Sequence, residues 1–232
     1  MEQMSGEERR RRSDAERNRR RLLNAAEELF LTRGLDVGVG EIAERAGVGR
    51  GTLFRNFPTK EDLIAAIVVE RMHEAAAVGR ELQRADDPDD ALFAFLEHMA
   101  GAQQVNRGLF EAVADTWLAN DDIRAGHTEI VEVLEGLLAR AQAVGAVRPD
   151  VGAIDLLFML KGVCEAATAL AQIEPRIVAR HLDLVRAALR PVDGAPPLRG
   201  HPPTLGDIER SVADAEPAVP ARAGQAASPA VA

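Results

Sequence analysis

Residues 50–60 carry side chains that suit hydrogen bonds to the base edges and phosphates of DNA. The candidates expected to point outward are Arg50, Thr52, Arg55 and Asn56. An arginine can hold guanine O6 and N7 through two parallel bonds, worth about 1–3 kcal/mol of discrimination against a wrong base. Gly51 lets the backbone approach a phosphate closely, and Lys60 can hold a phosphate by its charge. This spacing favours double-stranded DNA as the partner.

Two short helices are needed to present these side chains. Apolar residues at helical spacing predict one helix at about 39–46 and a second at about 50–56. Between them, Gly47 permits a positive φ in the turn, and Val48 can fill the small core. Two helices joined by such a turn form a helix-turn-helix, whose second helix enters the major groove.

The charge distribution places basic residues at one end of the chain. The formal net charge is −9, yet residues 1–60 hold 13 Lys and Arg against 10 Asp and Glu, and the remainder holds 15 against 27. Arginines form the run Arg9–Arg12 and recur at Arg17, Arg19, Arg20 and Arg21. We expect residues 1–14 to be a flexible basic arm that either contacts DNA or stays a solvated tail, with Arg19 among the DNA contacts.

The rest of the sequence predicts helices and gives no convincing strand pattern, because Val and Ile recur at helical rather than alternating spacing. The fold class is therefore all-α. Further helices are predicted at about 13–33, 60–84, 89–105, 109–119, 127–145, 150–172 and 175–190. Residues 191–232 are rich in Pro, Ala and Gly, which predicts a disordered tail with room for a short helix at about 205–212.

Several classes of function find no support in the sequence. The single cysteine, Cys164, cannot form an internal disulfide, which favours a reducing compartment. No apolar run of about 18 residues and no N-terminal signal core are visible. No histidine stands at metal-ligand spacing from a second His or Cys, and no catalytic residue is predicted. We expect a cytoplasmic, nucleoid-associated protein that is not an enzyme and needs no cofactor or metal.

Residues 22–64 resemble the DNA-binding domain of TetR-family regulators. The matching residues are Glu41-Ile42-Ala43-Glu44-Arg45-Ala46-Gly47-Val48, Arg50-Gly51-Thr52-Leu53-Phe54-Arg55-Asn56-Phe57 and Lys60-Glu61-Asp62-Leu63. Three positions depart from the family: Gly38 and Gly49 stand where Thr or Ser is usual, and Phe54 stands where Tyr is usual. The resemblance implies that these three positions face the DNA backbone, without the hydroxyls that usually contact phosphates.

The resemblance also implies a helical C-terminal domain that dimerises and usually holds a small-molecule pocket. Candidate pocket residues are Phe93, Leu96, Met99, Phe110, Val113, Trp117, Leu134, Leu138 and Phe158. Candidate dimer-interface residues are Leu157, Leu160, Val178, His181, Leu182, Val185 and Leu189. Apolar stripes at helical spacing also build ordinary cores, so both sets could instead be core residues of a monomer.

The sequence thus predicts a DNA-binding regulator, most simply a repressor. Its parts are a basic arm at 1–14, a helix-turn-helix domain at 15–60, a connecting helix at 61–84, an effector-binding and dimerisation domain at 85–190, and a tail at 191–232. A homodimer would bind a roughly palindromic operator with half-sites about 34 Å apart, or a modest multiple of that, and a small molecule would release it. The alternatives are a C-terminal domain that answers to a protein partner, or a helical enzyme or scaffold with a vestigial head.

Overall fold

The computed structural model describes residues 6–114, 120–170 and 173–215, and within these ranges the chain forms helices and no strand. The helices are α1 (Gly6–Arg33), α2 (Val39–Arg45), α3 (Arg50–Asn56), α4 (Lys60–Leu82), α5 (Pro88–Val105), α6 (Arg107–Val113), α7 (Asp121–Ala143), α8 (Ala153–Thr168), α9 (Ile177–Leu189) and α10 (Leu205–Ala215). Among the described residues, no helix has both the length and the apolar character that a membrane crossing requires. The predicted all-α fold class is confirmed.

Helices α1–α3 form a small N-terminal unit, the head, whose core is continuous with the core of the rest of the chain. Leu22, Ala26 and Phe30 recur every four residues on one face of α1, and each is at most 5% exposed. Ile42 of α2 and Leu53 of α3 are buried against the same core. Each short helix has a single apolar face, and these faces bury one another. The opposite face of α3 is thereby left in solvent.

Helix α4 leads from the head into the larger unit formed by α4–α9, the body. Its start is fixed by a capping box: Thr59 Oγ1 accepts from Asp62 N at 3.0 Å, and Thr59 N donates to an Asp62 carboxylate oxygen at 3.0 Å. Further along, α4 lies very close to α7. A Cβ atom on Gly79 would stand 2.3 Å from Val133 Cγ1, so only glycine allows this approach.

The body is held together by an apolar core and by charged links between its helices. Helices α8 and α9 pack on each other and on α5. Arg186 of α9 donates to Asp89 Oδ2 at 2.7 Å and lies over the Phe93 ring, 5.1 Å from its centre. The guanidinium therefore joins the end of the folded body to the first turn of α5.

Two helices begin six or more residues earlier than predicted from the sequence. Helix α1 starts at Gly6, so residues 6–14, expected to be a flexible arm, are helical. Arginine and glutamate are strong helix formers, and Glu8 stands four residues before Arg12, a spacing that stabilises helices. Helix α7 starts at Asp121 rather than about 127, because Asn120 Oδ1 accepts from the backbone N of Asp122 at 3.0 Å and caps the helix.

The expectation of a disordered tail is wrong for residues 191–211. Leu198 N donates to Asp150 Oδ2 at 2.8 Å, and Pro202 contacts Gly152, so this segment is fixed to the turn between α7 and α8. Leu205 and Ile208 pack against the core, and α10 confirms the short helix predicted there. These two apolar residues and the Asp150 carboxylate supply contacts that composition alone does not reveal. Residues 216–232 of the predicted tail lie outside the described residues.

Candidate nucleic-acid interface

The turn between α2 and α3 is anchored to α1. Gly47 has φ +63°, a left-handed conformation that favours glycine. Its carbonyl oxygen accepts from Arg21 Nη2 at 3.1 Å, and Val48 N donates to Ala43 O at 3.0 Å. Because α1 holds the turn, the direction of α3 is set by the whole head. Arg21 was grouped with the basic arginines from sequence and was not singled out for this role.

Two ion pairs join α1 to α2 on the surface of the head. Arg33 Nη1 lies 2.6 Å from Glu41 Oε2, and Arg45 Nε lies 3.2 Å from Glu28 Oε2. Arg33 lowers the pKa of Glu41, and Glu28 raises the pKa of Arg45, in each case first through a side-chain hydrogen bond. All four side chains are about half-exposed, so each pair adds little stability. Their effect is to orient α2 relative to α1.

Helix α3 presents arginines and an aromatic ring to solvent. Arg50, Gly51 and Arg55 are exposed, and Phe54 is 47% exposed. Arg55 runs along its own helix, donating to Gly51 O at 3.0 Å and to Thr52 Oγ1 at 3.1 Å. A guanidinium has five N–H donors, so Arg55 keeps donors for an outside acceptor.

Thr52 and Asn56 are half-buried, and Asn56 Nδ2 donates to Thr52 O at 2.8 Å. Thr52 also accepts from Arg55 through its hydroxyl. The predicted polar residues of α3 are therefore partly bonded to one another. This arrangement stiffens the surface that a DNA duplex would meet.

Arg50 lies against the first turn of α2. A Cβ atom at Gly40 would stand 2.3 Å from Arg50 Nη2 and 2.9 Å from its Cζ, so the guanidinium occupies the space that a side chain at position 40 would need. The sequence analysis missed Gly40. A glycine inside a predicted helix weakens that helix, which was the available indication that its missing side chain matters.

Lys60 and Arg19 are half-buried, and each contacts other residues of the chain. Lys60 Nζ donates to the carbonyl oxygen of Leu35 and lies 5.7 Å from the centre of the Phe30 ring. Arg19 lies over the Phe57 ring at 5.1 Å. Both stay predicted DNA contacts; in the structure, Lys60 links the start of α4 to α1 and Leu35, and Arg19 links α1 to the end of α3. Their partners are distant in sequence, so spacing could not reveal them.

Gly38 and Gly49 occupy equivalent places, as the N-caps of α2 and α3. Both have an extended backbone and no side-chain cap, and both are exposed. No atom lies within 4 Å of a Cβ built on Gly49. A hydroxyl-bearing residue would therefore fit at Gly49, and its absence removes a possible side-chain contact without altering α3.

Most of the predicted pocket residues lie together in the core of the body. Phe93, Leu96, Val113, Leu134 and Leu138 are buried, and Met99 and Phe110 pack half-buried against them. Phe158 does not belong with this set, because it is 57% exposed on the outer side of α8. Helical spacing did not separate the inner and outer sides of a helix that is apolar nearly all round. Trp117 lies outside the described residues.

The predicted dimer-interface residues fall into two groups. Leu160, Val178, Leu182 and Leu189 are buried within the protomer, where α8 and α9 pack on each other and on α5, so these four are core residues rather than surface. Leu157, His181 and Val185 are half-buried and remain partly accessible. The apolar side chains that α8 and α9 leave most exposed are Phe158 and Leu184, at 57% and 56%.

Two family models match successive parts of the chain. The model of bacterial regulatory proteins of the tetR family matches residues 22–67, which include α2, α3 and the start of α4. A model described as the C-terminal domain of SbtR-like transcriptional regulators matches residues 87–191, which include α5–α9. The stretch between the two matches, residues 68–86, contains most of α4 and the turn before α5.

Individual relatives agree with the family models. The HTH-type transcriptional repressor KstR of Mycolicibacterium smegmatis is 32% identical over 152 residues, which span 60% of this chain and 70% of KstR. A TetR transcription regulatory protein from Mycobacterium vanbaalenii is 34% identical with a TM-score of 0.58, covering 78% of this chain and 99% of that chain. A TetR transcriptional regulator from Streptomyces coelicolor is 31% identical with a TM-score of 0.59, covering 75% and 99%.

These relatives are transcriptional regulators and not enzymes. They match the head and the body together, at the identity and coverage given above. The helix-turn-helix of α2 and α3 is accordingly a DNA-binding domain. This chain belongs to the TetR family of transcriptional regulators.

Proposed function

We propose that this protein is a repressor that binds a roughly palindromic operator as a homodimer and leaves it when a small molecule binds the body. The observation that carries the proposal is the exposed side of α3, where Arg50, Phe54 and Arg55 stand on a helix fixed by the Gly47 turn. Repression is inferred from the name of the relative KstR, which is a transcriptional repressor.

Dimerisation through α8 and α9 is supported by their exposed apolar side chains. Phe158 and Leu184 are each more than half-exposed, and half-buried Leu157 and Val185 lie on the same two helices. Two copies of this surface related by a two-fold axis would form a four-helix interface. Such a dimer presents two α3 helices, which is why the operator is expected to have two half-sites.

Release by a small molecule requires a body that has two arrangements. An effector shifts their populations only if it binds one arrangement better than the other. The buried set Phe93, Leu96, Val113, Leu134 and Leu138, with half-buried Met99 and Phe110, is the region we assign to that effector. We place the protein in the cytoplasm, on the nucleoid, because its operator is there.

Fluorescence anisotropy tests the DNA-binding part of the proposal. The purified protein is titrated onto the DNA upstream of its own gene and onto an unrelated duplex, at about 50 and 200 mM salt. We expect the upstream DNA to bind about a thousandfold more tightly than the control. If both duplexes bind equally weakly, a genome-wide binding selection locates an operator elsewhere. Failure of that selection would reject the repressor proposal.

A further inference from the structure

Asn106 is a buried polar residue whose side-chain acceptor has no partner in the part of the chain that the structure describes. It links α5 to α6, as the C-cap of one helix and the N-cap of the other, and is 6% exposed. Its Nδ2 donates to the carbonyl oxygen of Ala102 at 3.1 Å, whereas Oδ1 accepts no hydrogen bond there. Buried acceptors are nearly always paired, so this exception needs an explanation.

The local geometry fixes which way the Asn106 amide faces. Turning the amide over would set Oδ1 beside the Ala102 carbonyl oxygen, and two acceptors would then oppose each other. The backbone of Asn106 is already satisfied, since its N donates to Ala102 O at 3.0 Å and its O accepts from Phe110 N at 3.1 Å. Oδ1 is the polar atom of this residue that stays available for a donor from outside the chain.

Asn106 also stands within the apolar stripe that we assign to the effector. Met99 precedes it by seven residues on α5, and Phe110 and Val113 follow it by four and seven on α6. Helical periodicity therefore places all three on the same side of their helices as Asn106. Met99 and Phe110 are half-buried and Val113 is buried, so apolar side chains share this side of the two helices with the buried acceptor.

We propose that Asn106 Oδ1 is the polar anchor of the effector site, and that the effector is a mainly apolar molecule carrying a neutral hydrogen-bond donor such as a hydroxyl group. The donor is neutral because burying an ammonium group among apolar residues costs far more than burying a hydroxyl. This proposal rests on the effector-released function above and specifies the chemistry of its ligand. A donor paired with Oδ1 would satisfy an acceptor that no described group of the chain satisfies.

Isothermal titration calorimetry of the full-length protein tests this anchor with a matched pair of probes, 1-decanol and decyl methyl ether. The two probes differ in whether they carry a donor. The wild type is expected to bind the alcohol at least about tenfold more tightly than the ether, because a site built around a hydrogen bond rejects an analogue that lacks it. Asn106→Leu keeps the branching and the number of side-chain heavy atoms, and it removes the acceptor together with the Nδ2 donor, so this variant is expected to bind both probes alike. The control Leu156→Met changes a buried apolar residue of α8 outside the region assigned to the effector and is expected to keep the preference.

Three results would reject the proposal that Asn106 Oδ1 binds the effector. They are equal binding of both probes by the wild type, binding of neither probe, and an alcohol preference that persists in Asn106→Leu. Thermal unfolding adds a second readout. Removing an unpaired buried acceptor is expected to leave the unfolding temperature of Asn106→Leu equal to or above that of the wild type. A fall in that temperature with an unchanged alcohol preference would assign Asn106 to helix capping alone, and the anchor would again be rejected.

Operator anisotropy on the same samples separates this inference from the proposed function. Specific DNA binding without any alcohol preference rejects the anchor and leaves the DNA-binding regulator intact. Absence of specific DNA binding by the wild type rejects the proposed function itself. Release of operator DNA by 1-decanol from the wild type, and not from Asn106→Leu, supports both together.

Discussion

The head and the body are both built from amphipathic helices, but the exposed sides of these helices differ. In the head, each short helix buries one side and leaves polar residues such as Arg50 and Arg55 exposed on the other. In the body, α8 is apolar nearly all round, and it contributes both buried Leu160 and exposed Phe158. A polar side chain on an exposed surface already indicates the chemistry of its partner. An apolar stripe does not reveal whether a core, a ligand or a second protomer covers it.

The largest effect is expected from a charge on the body's exposed apolar surface. Phe158→Glu should convert the proposed dimer to a monomer, because a carboxylate would be buried at the proposed interface. Operator affinity should then fall about a hundredfold or more, since each protein would hold a single half-site. Light scattering after size exclusion and operator anisotropy measure the two effects.

The matched control for that variant is Val144→Glu, at a side chain 61% exposed beyond the end of α7. It adds the same charge at an exposed position outside α8 and α9 and should leave the proposed dimer intact. If Phe158→Glu remains a dimer, the interface lies elsewhere on the body.

In the head, the largest effect is expected at the turn before α3. Gly47→Val forces a branched residue into a left-handed conformation, at a cost of about 1–3 kcal/mol. Its Cβ would also stand 2.5 Å from Arg21 Nη2, so the anchor to α1 must move. We expect operator affinity to fall by at least about tenfold and the unfolding temperature to fall by about 5 °C.

Gly101→Ala is the control for that substitution. Gly101 lies on the exposed side of α5, with no atom within 4 Å of a built Cβ. Alanine there should stabilise the helix by about 0.5–1 kcal/mol. An unchanged operator affinity in Gly47→Val would show that the turn does not direct α3.

A smaller effect is expected from a single side chain of α3. Arg55→Ala should weaken operator binding about tenfold and leave binding to an unrelated duplex unchanged, because a base contact carries sequence information. Arg84→Ala removes a similarly exposed arginine, paired with Glu81 at the end of α4, and should change neither affinity. Equal weakening on both duplexes would instead assign Arg55 to a phosphate. Anisotropy at two salt concentrations distinguishes these results.

The smallest effect concerns the contact between residues 191–211 and the body. The Arg148 hydrogen bond, and next the Leu198 N–H, hold the pKa of Asp150 well below its usual range. A lowered carboxyl pKa stabilises the fold above the unfolded value of about 3.9, and this contribution is lost as the pH falls toward the folded value.

Asp150→Asn should therefore unfold at a lower temperature than the wild type at pH 6, and the difference should shrink below about pH 4. Thermal unfolding followed by circular dichroism from pH 6 to pH 3 measures this. The control is Asp193→Asn, at an exposed position of the same segment. A difference between Asp150→Asn and the wild type that does not vary with pH would contradict the assignment.

Sequence patterns predicted the head more accurately than the body. Helices α2 and α3 were predicted within one residue, because glycines at 38, 47 and 49 mark the ends of short amphipathic segments. The exposed residues of α3 followed from the same pattern. The inward contacts of Lys60 and Arg19 did not, because a carbonyl at Leu35 and a ring at Phe57 become their neighbours only after folding.

In the body, helical periodicity identified the helices but not what covers each side. It placed Phe158 in a pocket and Leu160 at an interface, whereas the structure places Phe158 on the surface and Leu160 in the core. The unpaired Oδ1 of Asn106 could not be predicted from the sequence either, because whether a polar atom finds a hydrogen-bond partner depends on its neighbours in the folded chain. The start of α7 was missed because a single capping residue, Asn120, determined it.

The close approach of α4 to α7 at Gly79 makes this contact the natural pivot for a tilt of α4. Gly79 lies 19 residues along α4 from Lys60, a distance of about 28 Å at the helical rise. If Gly79 acts as a fulcrum, a tilt of about 5° moves the head end of this lever by about 2.5 Å. Two protomers tilting in opposite senses would change the span between their α3 helices by about twice that distance. A larger residue at position 79 would push α4 and α7 apart and would therefore change this tilt without altering a residue assigned to DNA or to the effector.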